Sequence, residues 1–168
     1  GENAPWLILI HGLFGSADNL AVVKRHFDKH FNIISVDLPD HGESPWTNSF
    51  NITDAAEAIY AIITSLAITK TAVLGHSLGG KVAMKLALNH GELISHLIVA
   101  DIAPSIYSQR HQAVFEELKA VSLTQIENRK DADKAMAAFI KEPGVRQFLL
   151  KSLYQNDQGK WAWRFNVD

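Results

Sequence analysis

The sequence predicts an α/β fold, a mostly parallel sheet followed by a helical segment. Two observations carry that expectation. Strand-length apolar runs alternate with helix-period segments over the first hundred residues. After Pro104 the alternation gives way to helical periodicity. The chain has 168 residues, 47% hydrophobic and 20% charged, enough for a real core.

The elements follow in order. Trp6–Ile10 is a continuous apolar run ending at His11-Gly12, which reads as a strand buried on both faces. Ala17–His26 is a helix, with Leu20, Val23 and Phe27 at helical spacing and Asp18 near its start. Phe31–Val36 is a second buried strand, ending at Asp37. Leu38–Phe50 holds Pro39, Gly42 and Pro45 and reads as a loop. Thr53–Leu66 is a helix whose Ala55, Ala58, Ile59, Ile62, Ile63 and Leu66 make one face. Thr71–Leu74 is a short β-branched strand stopping at Gly75. Gly79–Asn89 is a helix, with Val82, Leu86 and Leu88 apolar and Gly91 as its stop. His96–Ala100 is a further apolar strand, ending at Asp101. Beyond it no strand is expected from Arg110 to Tyr154. Gln112–Ala120, Leu123–Lys141 (whole or broken near Arg129–Asp131) and Val145–Tyr154 read as amphipathic helices, and Trp161–Asn166 as a strand or lid segment. Residues 1–104 are thus read as the α/β core and 105–168 as a helical lid of the same domain.

Composition excludes several function classes. Sixteen Lys and Arg against eighteen Asp and Glu give a formal charge of −2, so no basic face argues for nucleic acid. Zero Cys excludes thiol nucleophiles, cysteine-ligated metals and disulfides. No apolar run approaches the ~20 residues of a membrane-spanning helix. The first residues, Gly-Glu-Asn-Ala-Pro, do not read as a signal peptide, although the missing initiator Met leaves a removed leader open. A cytoplasmic location is the expectation. Neither G-x-G-x-x-G nor G-x-x-x-x-G-K-S/T occurs, so nucleotide binding is not indicated and no cofactor or metal is expected.

The chemistry lies in Gly75-His76-Ser77-Leu78-Gly79, a G-x-S-x-G between an expected strand and an expected helix. That context is what a nucleophile elbow requires, with Ser77 on a strained turn that lifts its hydroxyl off the sheet. An oxyanion needs two N–H donors. Leu78, directly after Ser77, offers one, and Leu13 in His11-Gly12-Leu13-Phe14-Gly15 offers the other.

The wording of these motifs resembles the α/β-hydrolase superfamily: H-G-L-F-G-S, D-L-P-D-H-G-E-S, G-H-S-L-G-G and I-V-A-D-I-A-P. It is similar in particular to small serine esterases of the YbfF type, as are Gln147–Ser152 and Trp163–Asn166. The resemblance implies an α/β-hydrolase core with a helical lid, and a Ser-acid-His triad for hydrolysis of a small-molecule acyl ester or thioester. Ser77 matches the nucleophile and Asp101 the acid. Asp101 also sits at a strand's carboxyl end, where catalytic groups of open α/β sheets collect.

The pattern breaks at the base. The triad His should follow a late strand, yet after Ser77 come only His90, His96 and His111. The expectation is a chain truncated before the last strands, nearly inactive alone, with a hydrophobic sheet edge. The alternatives are a non-catalytic fragment completed by a second chain that supplies the missing histidine segment, or a carbon–carbon hydrolase or acyltransferase on the same triad. His26 and His30 read as surface histidines, His41 and Asp40 as loop scaffolding, and His76 as a packing residue. Phe14, Tyr107 and Trp163 are candidate substrate contacts. Trp46, Ile106, Phe139, Phe148, Leu149 and Trp161 are further apolar residues for such a pocket. Arg110 and Lys119 read as solvated charge.

Overall fold

A computed structural model describes residues 4–104 and 112–167. The chain divides into two compact units, Gly1–Pro104 and Ser105–Asp168.

The first unit is a four-stranded sheet. Strands β1 (Trp6–Ile10), β2 (Asn32–Val36), β3 (Thr71–His76) and β4 (Ile94–Ala100) lie in the order β2-β1-β3-β4, all parallel. Ile10 pairs with both Val36 and Gly75, and Gly75 with Val99. The four carboxyl ends therefore finish level. The chain runs from β1 outward to β2, then crosses back to β3 on the other side. That reversal opens a crevice between the ends of β1 and β3, where ligands of such sheets bind.

Strand β1 alternates between two apolar layers, which explains its unbroken hydrophobic run. Ile8 and Ile10 face Ile59, Ile63, Val82 and Leu86 of helices α2 (Ile52–Ser65) and α3 (Leu78–Asn89). Leu7 and Leu9 face Leu20, Val23 and Phe27, which lie in a 3-10 turn (Ala17–Leu20) and helix α1 (Ala21–Phe27). Asn51 caps α2, its side chain accepting from Asp54 N–H at 2.8 Å.

Several expectations need correction. The helix expected at Ala17–His26 begins as a 3-10 turn. The face of α2 is rotated: Ala55, Ala56, Ile59 and Ile63 are buried, whereas Ala58, Ile62 and Leu66 are exposed. Leu88 is 82% exposed. Gly91 is not a left-handed stop; α3 ends at Asn89 and Gly91 opens a 3-10 turn. Strand β4 starts at Ile94, earlier than expected, and its Leu97 and Ile98 are exposed.

The second unit holds α4 (Gln112–Ala120), α5 (Arg129–Ala137) and α6 (Pro143–Leu150). Asn128 caps α5, accepting from Lys130 and Asp131 N–H. The Arg129 guanidinium donates to the carbonyls of Leu150 and Leu153 at the end of α6. The segment Leu123–Lys141 does break before Arg129: it is a 3-10 turn over Leu123–Gln125 followed by α5. A strand also occurs where none was expected. Leu153–Gln155 (β5) pairs antiparallel with Trp161–Trp163 (β6), so the helix expected to Tyr154 stops at Leu150.

Candidate active site

Strand β3 delivers Ser77 to the carboxyl edge. Its backbone sits at φ 52° and ψ −119°, a region that costs a residue with a Cβ. Ser77 N–H donates to the Ala100 carbonyl at 2.9 Å, continuing the β3–β4 ladder into the turn. The Ser77 hydroxyl does not cap α3 and, among the described residues, has no hydrogen-bond partner. The turn is tight enough that a Cβ on Gly75 would overlap the Gly79 carbonyl. One on Gly79 would overlap the carbonyls of Ile10 and His11. The glycines thus let the start of α3 press against the end of β1.

Asp101 follows β4 directly, one strand across from Ser77, with φ 59°. Its side chain is 85% exposed. Phe14 and Asp40 also have left-handed backbones, at φ 61° and 65°. Each of the four parallel strands is therefore followed within four residues by a strained non-glycine residue. Such strain tends to mark functional sites.

Leu13 lies in the loop after β1 and Leu78 directly follows Ser77. Leu78 opens α3, and among the described residues no hydrogen bond takes up either N–H. The loop after β1 comes close to the nucleophile: a Cβ on Gly12 would stand 3.2 Å from Ser77 Cβ and 3.1 Å from His76 Nδ1.

Two residues that hold these loops were not singled out in the sequence. His11 is fully buried; its Nε2 accepts from Leu38 N–H at 3.0 Å and its Nδ1 lies 2.8 Å from the Gly12 carbonyl. Accepting at Nε2 puts the proton on Nδ1, so the ring is neutral. Burial agrees, pushing its pKa down to about 4. Asp37 accepts from Ala17 N–H at 2.7 Å and Glu43 N–H at 3.0 Å, tying the loop after β2 to the turn before α1. The available signal was position alone, since each residue directly follows a strand.

The other candidates are placed as follows. His41 is buried against His11, with ring centroids 5.2 Å apart, and burial lowers its pKa too. Asp40 accepts from the Thr47 N–H and hydroxyl, so this pair does scaffold the loop. His26 and His30 are exposed. His76 is not a packed residue: its side chain is 46% exposed and its Nε2 lies 3.7 Å from Asp101 Oδ2. His90 pairs with Glu57 at 3.0 Å and stacks on Tyr60, joining α3 to α2. Hydrogen bonds from Asn89 and His90 hold the Glu57 carboxyl below its ordinary value. His96 is exposed early in β4, away from the carboxyl edge. Phe14 is buried beside the Gly12 turn. Trp163, in the second unit, is buried and stacked on Phe165, and its indole N–H has no partner. Trp46 and Phe139 are exposed. Tyr107, Ile106, Arg110 and His111 lie outside the described residues. Among the described residues no cluster of His, Asp or Glu could hold a metal, and no helix is long and apolar enough to cross a membrane. A cleft of about 250 Å³ between α2 and the loop after β2 involves neither Ser77 nor Asp101.

A parallel sheet with a strained serine between strand and helix, at the topological switch, defines the nucleophile-elbow class of α/β proteins. A family profile described as alpha/beta hydrolase fold matches residues 5–167, and the chain belongs to that family. It is 39% identical to Esterase YbfF of Escherichia coli over 167 residues, covering 99% of this chain and 63% of that protein. It is 33% identical to the sn-1-specific diacylglycerol lipase ABHD11 of Mus musculus, covering 98% of this chain and 56% of that one. Among solved structures, a marine microorganism esterase superposes with a TM-score of 0.95 at 31% identity, covering all of this chain and 67% of its own. The chain thus spans about three fifths of the length of the curated relatives it matches.

Proposed function

We propose that this chain carries the nucleophile, acid and oxyanion donors of a serine hydrolase acting on carboxylic esters or acyl thioesters. The observation that carries the reading is Ser77 itself. A serine with a free hydroxyl on a strained strand–helix turn, one strand from Asp101, has few structural reasons to exist. The names of the relatives, esterase and lipase, agree on ester bonds.

In this reading the Ser77 hydroxyl oxygen attacks the acyl carbonyl carbon as a histidine base takes its proton. The carbonyl oxygen becomes an oxyanion held by the N–H groups of Leu13 and Leu78. The carbon–oxygen or carbon–sulfur bond then breaks, and the leaving alcohol or thiol receives the proton from the histidine. Water, deprotonated by the same base, releases the acid and restores Ser77. Asp101 orients the histidine, which this reading draws from outside the described residues: His11 and His41 are buried, His90 is paired with Glu57, His96 is away from the carboxyl edge, His26 and His30 are exposed at and after the end of α1, and His76 directly precedes Ser77 with its Nε2 toward Asp101. Phe14 serves as an apolar contact for the acyl group.

The test is labelling of the full-length protein with a fluorophosphonate, read by peptide mass, beside turnover of short p-nitrophenyl esters. One adduct on Ser77, lost in Ser77→Ala with turnover falling by about 10⁴-fold or more, is the expected result. Labelling and turnover that survive Ser77→Ala would refute the nucleophile assignment.

A further inference from the structure

We infer that His76 is a positioning residue for the Asp101 carboxylate, a role that rests on the Ser77–Asp101 reading above. His76 ends β3 in register with Ala100, so the residue before Asp101 lies directly beside it. Two edges of its ring meet two different loops. The Nε2 edge lies 3.7 Å from Asp101 Oδ2, and the Nδ1 edge lies against Gly12 in the loop after β1. The imidazole therefore bridges the crevice between the loop that offers an oxyanion donor and the strand end that offers the acid.

Three facts argue against a passive side chain. His76 is half exposed, so it fills no core space. Asp101 sits on a left-handed backbone and its side chain is 85% exposed in this chain, so no packing among the described residues fixes its rotamer. Among the described residues His76 is the only side-chain partner of Asp101, and Asp101 the only one of His76. At 3.7 Å the contact is longer than a hydrogen bond, so it orients the carboxylate by charge–dipole attraction without taking up its lone pairs. An acid steered this way keeps both oxygens available for the triad histidine. A tighter bond would compete with that histidine.

The experiment is a double-mutant cycle in the full-length protein. Wild type, His76→Leu, Asp101→Asn and the double variant are compared by rate of fluorophosphonate labelling at Ser77, and by kcat and KM on a p-nitrophenyl ester. His76→Leu should slow labelling and lower kcat by about fivefold, the scale of an exposed charge contact, with KM nearly unchanged. In the Asp101→Asn background the same substitution should change neither, because the group it steers is gone. His76→Gln, which restores an N–H donor, should recover most of the loss. An equal loss in both backgrounds overturns the role, as does no loss in His76→Leu. If Asp101→Asn alone leaves labelling and kcat intact, the acid assignment itself fails. That outcome is distinct from failure of the His76 role with Asp101 still required.

Discussion

His11 shows what a single buried side chain contributes to this edge of the sheet. It holds Leu38 N–H with one nitrogen and faces the Gly12 carbonyl with the other, so it ties the loop after β2 to the loop after β1. The contact with Leu38 needs the neutral ring, whereas the Nδ1–H donated to the Gly12 carbonyl survives protonation. In the native state burial keeps the pKa near 4, whereas the unfolded residue takes up a proton below about 6.5. The unfolded state therefore binds more protons, and stability falls as pH drops from about 6.5 to about 4, levelling off below. The full effect is about 3 kcal/mol, and buried His41 adds to it in the same direction. His11→Gln keeps an acceptor for Leu38 N–H but cannot titrate. Urea unfolding at a series of pH values should give a flatter slope over this window in the variant; an identical slope would mean His11 is not its source. None of this was legible in the sequence. The partner of His11 lies 27 positions away, and only the fold brings it within reach. Ser77, by contrast, announced itself, because its local glycines are part of its own motif.

At the scale of elements, the β3–α3 junction is the most constrained. Gly79 sits where the first turn of α3 touches the end of β1, and a Cβ there has only backbone carbonyls to displace. Gly79→Ala should cost about 3 kcal/mol or more, read as a lower denaturant midpoint. A loss below about 1 kcal/mol would show that α3 shifts freely away from β1. The succession of strands and helices in β1 to β4 and their parallel sense were legible, because alternation of apolar runs determines them, whereas the sheet order β2-β1-β3-β4 was not. The phase of α2 was not. Its apolar residues wrap most of the way round, and periodicity allowed either stripe. The structure buries the side with Ala55 and Ala56, whose small side chains let the helix approach the sheet. Strand β6 falls within the segment Trp161–Asn166 read as a strand or lid, but β5 was missed for another reason. It is three residues long, too short for a period of two to register, and it directly follows an amphipathic helix.

At the scale of the whole 168-residue chain, the sheet of the described residues ends on one side at β4, a strand of buried-type sequence with an open edge. Leu97 and Ile98 point to opposite faces and are 40% and 45% exposed. An open apolar edge is a template for association. The 168-residue polypeptide, prepared as such, should scatter light increasingly with concentration, and Ile98→Lys should reduce that scatter. Scatter that the lysine leaves unchanged would locate the sticky surface elsewhere. This edge was legible in advance, as was the turn that carries Ser77, whereas strand β5 after Pro104 was not. The backbone strain gathered at the carboxyl ends of the four strands has one more implication. A glycine at position 77 would relax the turn and delete the hydroxyl together. On the proposed role of Ser77, laboratory selection for heat resistance alone would therefore favour inert proteins at that position, and only a screen that also demands turnover would retain the serine.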